Sequence, residues 1–182
     1  EAVPDPSDRL RAPRVLWIGR MDANKRLDWF LEIARSCPDL RFDVVGRAAV
    51  GDRSFGPEVA PAPNAVLHGY QPPEELGRFY RAAAVLCCTS RFEGFPNTFL
   101  EAWSHGVPVV STVDPDGLIA TQGLGAVAGD VTGLIGRIRG LLASPAAWMG
   151  ASANAQAYYR NNHRPEVVMP RFENIFQEVV HE

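Results

Sequence analysis

Two glutamates, Glu93 and Glu101, stand eight residues apart in the stretch Ser90-Arg-Phe-Glu-Gly-Phe-Pro-Asn-Thr-Phe-Leu-Glu101, directly after the apolar run Ala84 to Thr89. The pattern predicts a strand, a tight loop and a helix start. Backbone N–H groups in the first turn of a helix lack intrahelical partners and carry the positive end of the dipole, so they attract phosphate whatever the side chains are. Carboxylates repel phosphate but accept hydrogen bonds from hydroxyls. A segment holding both suits a ligand with a phosphate centre and hydroxyl-rich groups on either side, as in a nucleotide-sugar. A second loop adds cations. Gly19-Arg20-Met-Asp-Ala-Asn-Lys25 follows the apolar run Val15-Leu-Trp-Ile18. Arg20 and Lys25, projecting into the same crevice, would neutralise a pyrophosphate, each charge-assisted bond contributing about 1.5–3 kcal/mol. The same cations would stabilise a departing nucleoside diphosphate, on which charge grows in the transition state.

The hydrophobic pattern supplies the elements that must position these loops. Val15 to Ile18 reads as a strand, and Leu27, Phe30, Leu31 and Ala34 follow at i, i+3, i+4 and i+7, one face of a helix. Phe42 to Val45 and Ala65 to His68 read as the second and third strands, stopping at Gly46 and Gly69, which suit sharp exits. Pro72-Pro73-Glu74-Glu75 opens a helix whose buried face is Leu76, Phe79, Tyr80 and Ala83. Ala84 to Thr89 is the fourth strand, a helix begins near Asn97, Val107 to Thr112 is the fifth strand and Gly125 to Ala128 a short sixth. From Asp130 the chain turns helical. Leu134, Ile135, Ile138, Leu141 and Leu142 share one face there, and Val168, Phe172, Ile175, Phe176 and Val179 share one in the last helix, Glu166 to Val180. Apolar strands alternating with helices predict an α/β fold with a parallel sheet covered on both faces. Ligands in such sheets bind beyond the carboxyl ends of the strands. The loops after Ile18, Val45, His68, Thr89 and Thr112 should therefore form one wall of a crevice.

Composition narrows the classes. A length of 182 residues predicts one domain. Apolar residues at 46% and charged residues at 21% are ordinary for a soluble globular protein. A net charge of −3 without a dominant basic patch argues against nucleic acid as a partner. The longest apolar stretches, such as Ala82 to Cys88, fall far short of the ~20 residues of a membrane span. No cationic and apolar signal pattern opens the chain, so a cytoplasmic location is expected. The three cysteines, Cys37, Cys87 and Cys88, lack metal-ligand spacing and read as small reduced core residues. Trp17, Trp29, Trp103 and Trp148 read as core or interface aromatics, and His105 as a helix C-terminal residue favoured by the dipole. Phe95, in a Gly-Phe-Pro turn, either lines the site or is tucked beneath it.

The ordered set Gly19-Arg20, Lys25-Arg-Leu-Asp28, Val45-Gly46, His68-Gly69, Glu93-Gly-Phe-Pro-Asn-Thr-Phe-Leu-Glu101-Ala and Gly106-Val-Pro-Val-Val-Ser-Thr112 resembles a known family. It is similar to the C-terminal half of the retaining glycosyltransferases of the glycosyltransferase-B fold, in the group-1 family that includes mannosyltransferases and glycogen and sucrose synthases. The similarity runs from about Arg14 to Thr112 and continues weakly to the end. Two glutamates separated by seven residues occur by chance in many chains; the order and spacing of the whole set is far more specific.

The resemblance implies a Rossmann-like three-layer α/β/α sandwich with a parallel sheet, one half of a glycosyltransferase-B fold. Residues 14–182 would form a nucleotide-sugar-binding domain that includes the C-terminal helices, with residues 1–13 as a linker. Carried over residue by residue, it implies that Arg20 and Lys25 bind the diphosphate, that Glu93 holds hydroxyls of the transferred sugar, and that these three carry catalysis. Glu101 would hold the ribose hydroxyls. Phe95, Pro96, Asn97 and Thr98 would supply backbone contacts to phosphate and sugar, and the backbone around Tyr70 and Gln71 would touch the base. The donor would be a UDP-, GDP- or ADP-sugar, a substrate rather than a cofactor, and no metal is expected. Base identity would rest on the backbone near Tyr70 and on the loop Arg47 to Pro63. After Val113, the family's glycine pair and following acidic residue are represented only by Pro115-Asp-Gly-Leu-Ile119.

Enzymes of this family pair two Rossmann-like halves, with the acceptor held mainly by the N-terminal one. This chain opens on the Pro-rich Glu1-Ala-Val-Pro-Asp-Pro-Ser-Asp, which is expected to be the linker between halves. The expectation is a fragment, or a subunit needing a partner, inactive without the acceptor domain. Its full enzyme would transfer a hexose to a glycan or lipid-linked acceptor in polysaccharide biosynthesis, with peripheral membrane association left open. Two alternatives stand beside it: a non-catalytic binding or assembly module docking through its last helix, and a sugar-nucleotide epimerase-like domain, which would need other acid and base residues.

Overall fold

Six short apolar segments pair in parallel in the computed structural model, which describes residues 6–48 and 62–180. The elements are α1 (Pro6–Arg11), β1 (Arg14–Ile18), α2 (Leu27–Ser36), β2 (Arg41–Val45), β3 (Ala65–Leu67), α3 (Pro73–Ala82), β4 (Val85–Cys88), α4 (Asn97–Ser104), β5 (Val109–Ser111), α5 (Leu118–Gln122), β6 (Gly125–Val127), α6 (Val131–Ala143), α7 (Pro145–Asn162) and α8 (Pro165–Val180). A 3-10 turn over Pro115–Gly117 precedes α5. The strand order is β3-β2-β1-β4-β5-β6, every pair parallel.

Side chains alternate across the sheet with period two, and two separate cores result. Val15, Trp17, Phe42, Val44, Val85, Cys87 and Val110 pack under α2 and α6, against Phe30, Leu31, Leu134 and Ile138. Leu16, Leu86 and Val109 face the other way, against Phe79 and Tyr80 of α3, Phe99 and Trp103 of α4, Ile119 of α5 and Ala155 of α7. These are the three layers of a Rossmann-like α/β/α sandwich. Burying apolar surface at ~25 cal/mol per Å² on both faces explains why the strands read as near-continuous apolar runs.

One charge interrupts β2. Asp43, 4% exposed, accepts from Arg14 Nε (2.7 Å) and Nη2 (2.9 Å), and its Oδ1 lies 2.7 Å from His68 Nε2. A buried carboxylate is tolerated only when hydrogen-bonded and paired, and this one ties β1, β2 and the exit of β3 together. Burial works to raise its pKa, but the Arg14 and His68 bonds outweigh burial and hold the carboxyl below its ordinary value.

Several segments differ from the periodicity. The strand expected over Val107 to Thr112 begins at Val109, because Val107 N–H bonds back to Ala102 O (2.9 Å). The helical C-terminal part divides at Ser144, whose hydroxyl caps α7 through Ala147 N–H. In the stretch expected to be a linker, Pro6–Arg11 is helical, and buried Arg9 donates from Nη1 and Nη2 to His105 O (both 3.1 Å) at the end of α4. Residues 1–5 and 49–61, and with them most of the loop Arg47 to Pro63, lie outside the described residues, as do the side chains of Ile175 and Val179. No helix among the described residues is long and apolar enough to cross a membrane.

Candidate functional site

In a sheet of this order the direction of winding reverses between β1 and β4, and ligands bind where the exits of those strands part. The two loops singled out for chemistry are those two exits. Their neighbours are stitched to them by backbone bonds. Gly19 N–H donates to Val45 O (3.1 Å), Met21 N–H to Arg47 O (3.0 Å) and Gly46 N–H to Gly69 O (2.9 Å), and Met21 bridges in parallel to Ala48. Gly46, at φ +145°, lies so close to the β1 exit that a Cβ would sit 1.8 Å from Gly19 O. Only glycine permits that approach.

Asp22 sets both cations. Its Oδ1 accepts from the N–H groups of Asn24 and Lys25 (each 3.0 Å), a side-chain-made turn, and its Oδ2 accepts from Arg20 Nε (2.6 Å). Burial works to raise the Asp22 carboxyl, yet the Arg20 bond and the two amides hold it below its usual value. Asn24 then zips this loop to the exit of β4. Its carbonyl accepts from Arg91 N–H (2.8 Å), its Nδ2 donates to Phe92 O (3.1 Å) and its Oδ1 accepts from Phe92 N–H (3.3 Å). Arg26 adds a second brace, donating to Thr89 O (2.7 Å) while its guanidinium lies 3.6 Å over the Trp29 ring. Its backbone is left-handed (φ 47°, ψ 57°), a strain of roughly 1–2 kcal/mol that the braces offset. Beneath, the Thr89 hydroxyl donates to Lys25 O (2.7 Å) and accepts from Trp17 Nε1 (3.1 Å). The outcome is direct contact between the two chemical loops: Lys25 Nζ bonds Glu93 Oε1 at 2.5 Å, with side chains 23% and 15% exposed.

Beyond Glu93 the chain enters α4 through Pro96, extended at φ −70°, ψ 122°. No side chain caps α4 and no acidic residue stands in its first turn. Other helix starts differ: Asp130 accepts from Gly133 N–H (2.7 Å) at α6 and Asp114 from Ile119 N–H (2.7 Å) and Ala120 N–H (3.2 Å) at α5, while α2 and α3, also without a side-chain cap, carry Asp28 and Glu74–Glu75 in their first turns. The first N–H groups of α4, at Asn97 and Thr98, thus keep their affinity for an anion. Thr98 lines a small cleft with Lys25, Ser90 and Ile18. Glu101 lies one helical turn further on, about 6 Å along the axis from Asn97, and its Oε2 accepts from Tyr80 OH (2.6 Å). Phe95 is 37% exposed, and its ring meets Trp103 edge-on at 6.2 Å and lies 6.0 Å from the ring of His163.

A crevice of about 360 Å³ adjoins these loops, lined by Ile18, Arg20, Gly46, Arg47, Tyr70, Gln71 and Leu76 among others. Ile18 borders both it and the small cleft. The Arg47 guanidinium stands 4.7 Å over the exposed Tyr70 ring. The Gln71 side chain is spent as a brace, with Nε2 donating to His68 O and Oε1 accepting from Arg78 Nη2 (both 2.8 Å).

The structure therefore brings Lys25, Glu93 and Thr98 together, and Arg20 with Tyr70 and Gln71, while Glu101 bonds the neighbouring helix α3. Sequence reasoning missed Asp22, Asn24, Arg26, Thr89 and Tyr80. Asp22-Ala-Asn24 carried a signal, since Asp and Asn commonly bond their own backbone two residues on. Tyr80 carried a weaker one: a phenol on an apolar helix face must place its hydroxyl somewhere.

The profile of the family described as Glycosyl transferases group 1 matches residues 12–144. A lipopolysaccharide 1,6-galactosyltransferase of Salmonella typhimurium is 28% identical over 114 residues, which are 59% of this chain and 32% of that one. A D-inositol 3-phosphate glycosyltransferase of Segniliparus rotundus is 32% identical over 117 residues, 59% of this chain and 25% of that one. Among solved structures, the Anabaena protein HepE in complex with UDP superposes with a TM-score of 0.82 at 17% identity, covering 96% of this chain and 53% of that one. Sucrose-phosphate synthase from Thermosynechococcus elongatus gives 0.80 at 20% identity, covering 98% and 49%. The chain thus spans a third or less of those curated relatives and about half of those structures.

Proposed function

The chain belongs to the group 1 glycosyl transferases, and we propose from that premise that it is the nucleotide-sugar-binding half of a retaining glycosyltransferase. The observation that carries the reading is the uncapped start of α4 beside the Lys25–Glu93 pair, at the switch point of the sheet. A diphosphate seated there meets the Asn97 and Thr98 N–H groups, Lys25 and Arg20. Lysine has three N–H donors, so Lys25 can keep Glu93 and still bind phosphate. Arg20 gives Nε to Asp22 and its side chain is 68% exposed, leaving the rest of its fork for a second phosphate oxygen. Glu93, held through Oε1, presents its other oxygen to hydroxyls of the sugar. As the bond from sugar to phosphate breaks, charge grows on the leaving diphosphate, where these fixed donors lower the barrier most. No metal is invoked.

The base would occupy the crevice between Arg47, Tyr70 and Leu76, and Glu101 would receive the ribose hydroxyls. HepE and the pneumococcal O-GlcNAc transferase GtfA are recorded in complex with UDP, which favours a UDP-sugar for this chain. A second half would supply the acceptor, a glycan or lipid-linked sugar, and this chain alone would bind donor without transferring it.

Calorimetric titration with UDP, GDP, ADP and their sugar conjugates tests the reading, and no saturable binding of any of them at millimolar concentration would sink it. Glu101→Ala is expected to weaken the free nucleotide, and Glu93→Ala the sugar conjugate more than the nucleotide. Equal losses for both ligands in both variants would reject that division of roles. The exposed Met169, Phe172 and Phe176 of α8 favour a second reading, an assembly module that docks through this helix. A tight oligomer in light scattering, with no nucleotide binding, would select it.

A further inference from the structure

We infer that Tyr80 is a positioning residue for the ribose carboxylate: its buried hydroxyl fixes one oxygen of Glu101 so that the other is presented to the nucleoside's hydroxyls. The inference rests on the role proposed for Glu101. Tyr80, on α3, is 1% exposed, and its OH lies 2.6 Å from Glu101 Oε2 on α4. An ionised carboxylate has no proton to give, so the phenol donates. Burial, followed by the hydrogen bond and charge of Glu101, pushes the Tyr80 phenol well above its ordinary pKa, and the donor stays protonated at any working pH.

The ring is held as firmly as the hydroxyl. It stacks on His105 at 5.4 Å and 22°. His105 Nδ1 lies 2.9 Å from both Ser104 Oγ and Glu101 O, and the His105 carbonyl accepts from Arg9. Glu101 thus stands in a frame built by α1, α3 and the end of α4. An unbraced glutamate on a helix surface samples several rotamers and loses that freedom when a ligand binds. Here the loss is incurred on folding, and preorganisation of this kind raises affinity without a new ligand contact. The brace acts only on a ligand that uses Glu101, which separates it from a tyrosine that merely fills the core.

The test compares UDP with 2′,3′-dideoxy-UDP by calorimetry in wild type, Tyr80→Phe, Glu101→Gln and the double variant, with the GDP and ADP pairs in parallel. Tyr80→Phe is expected to weaken UDP about tenfold, the worth of one hydrogen bond to a charged group, and to leave the dideoxy nucleotide within about twofold. In the Glu101→Gln background it should add nothing. His105→Ala, which removes the ring that Tyr80 stacks on and leaves the Glu101 side chain untouched, should show a smaller loss of the same selectivity, so the inference stands or falls even if Tyr80→Phe does not fold. Wild-type discrimination that Tyr80→Phe and His105→Ala leave intact, or a loss equal for both nucleotides, overturns the positioning role alone. Failure of wild type to discriminate, with Glu101→Gln unchanged, overturns the assignment of Glu101 to the ribose and this inference with it.

Discussion

Arg14–Asp43–His68 and the group of Arg20–Asp22 with Lys25–Glu93 are both built from hydrogen bonds of 2.5–2.9 Å to carboxylates, yet they are finished to different degrees. Asp43 has both oxygens occupied and a side chain only 6% exposed, in the middle of a strand. Its charge is consumed in joining β1, β2 and the β3 exit. Arg20 and Lys25 sit on loops beyond the strand ends, one of them mostly exposed, each holding a single carboxylate with donors to spare. Pair distance therefore says little about purpose. What separates a group that holds the fold from one that receives a ligand is the number of unspent donors and their place relative to the sheet edge.

Four experiments would break or sharpen that contrast. The largest effect is expected from Arg20→Ala combined with Lys25→Ala. Losing two charge-assisted contacts at ~2 kcal/mol each lowers nucleoside diphosphate affinity on the order of a thousandfold, with a smaller accompanying loss of stability from the stranded Asp22 and Glu93, which stand on loops beyond the strands. A large loss of stability without loss of binding would merge the two groups into one class. Asp43→Asn should do the opposite. It strands Arg14 in a half-buried position, is expected to cost about 3 kcal/mol in urea unfolding, and leaves the nucleotide affinity of the folded protein unchanged. The same carboxyl carries a pH signature. Because its folded pKa is depressed, its contribution is complete above the unfolded value of 3.8 and is lost as pH falls through the folded pKa. Wild-type stability should therefore drop more steeply below pH 3.8 than that of Asp43→Asn.

Asn24→Ala is the intermediate case, since it belongs to neither pair but aligns the loops that hold one. About 1 kcal/mol of stability should go with its two side-chain bonds, and nucleotide binding should weaken alongside, in contrast to Asp43→Asn. The smallest effect is reserved for an ion pair that is neither buried nor in the crevice, Arg139–Asp39 on the surface. Asp39→Ala should leave both the melting temperature and nucleotide binding within error.

Much of this arrangement could be read before any coordinates. Continuous apolar runs and period-3.6 patterns located the six strands and most helices, because the inner strands are buried on both faces and most helices on one, although the edge strand β3 leaves Val66 and Leu67 about half exposed. Ends were less legible where a local bond competes: Val107 looks like strand but its N–H is taken by Ala102 O, and Ser144-Pro145, a common cap and first-turn pair, divides what periodicity leaves as one helical region. In the site, residue types and spacing sufficed to nominate Arg20, Lys25, Glu93 and Glu101. They could not show that Lys25 and Glu93 touch, since that contact joins positions 68 apart in the chain and depends on Asn24 closing two loops together. Nor could they connect Tyr80 to Glu101, because a tyrosine on a buried helix face has many places to send its hydroxyl.

Gly46 carries a consequence for how this site can vary. With Gly19 O less than 2 Å from where a Cβ would stand, position 46 is closed to the other nineteen amino acids, and a saturation library there should return only wild type among folded members. Selection for a different nucleotide cannot act through it. Change must be written instead on the side chains around the crevice, and Arg47 and Tyr70, stacked at 4.7 Å, are the pair on which a library would first show altered preference.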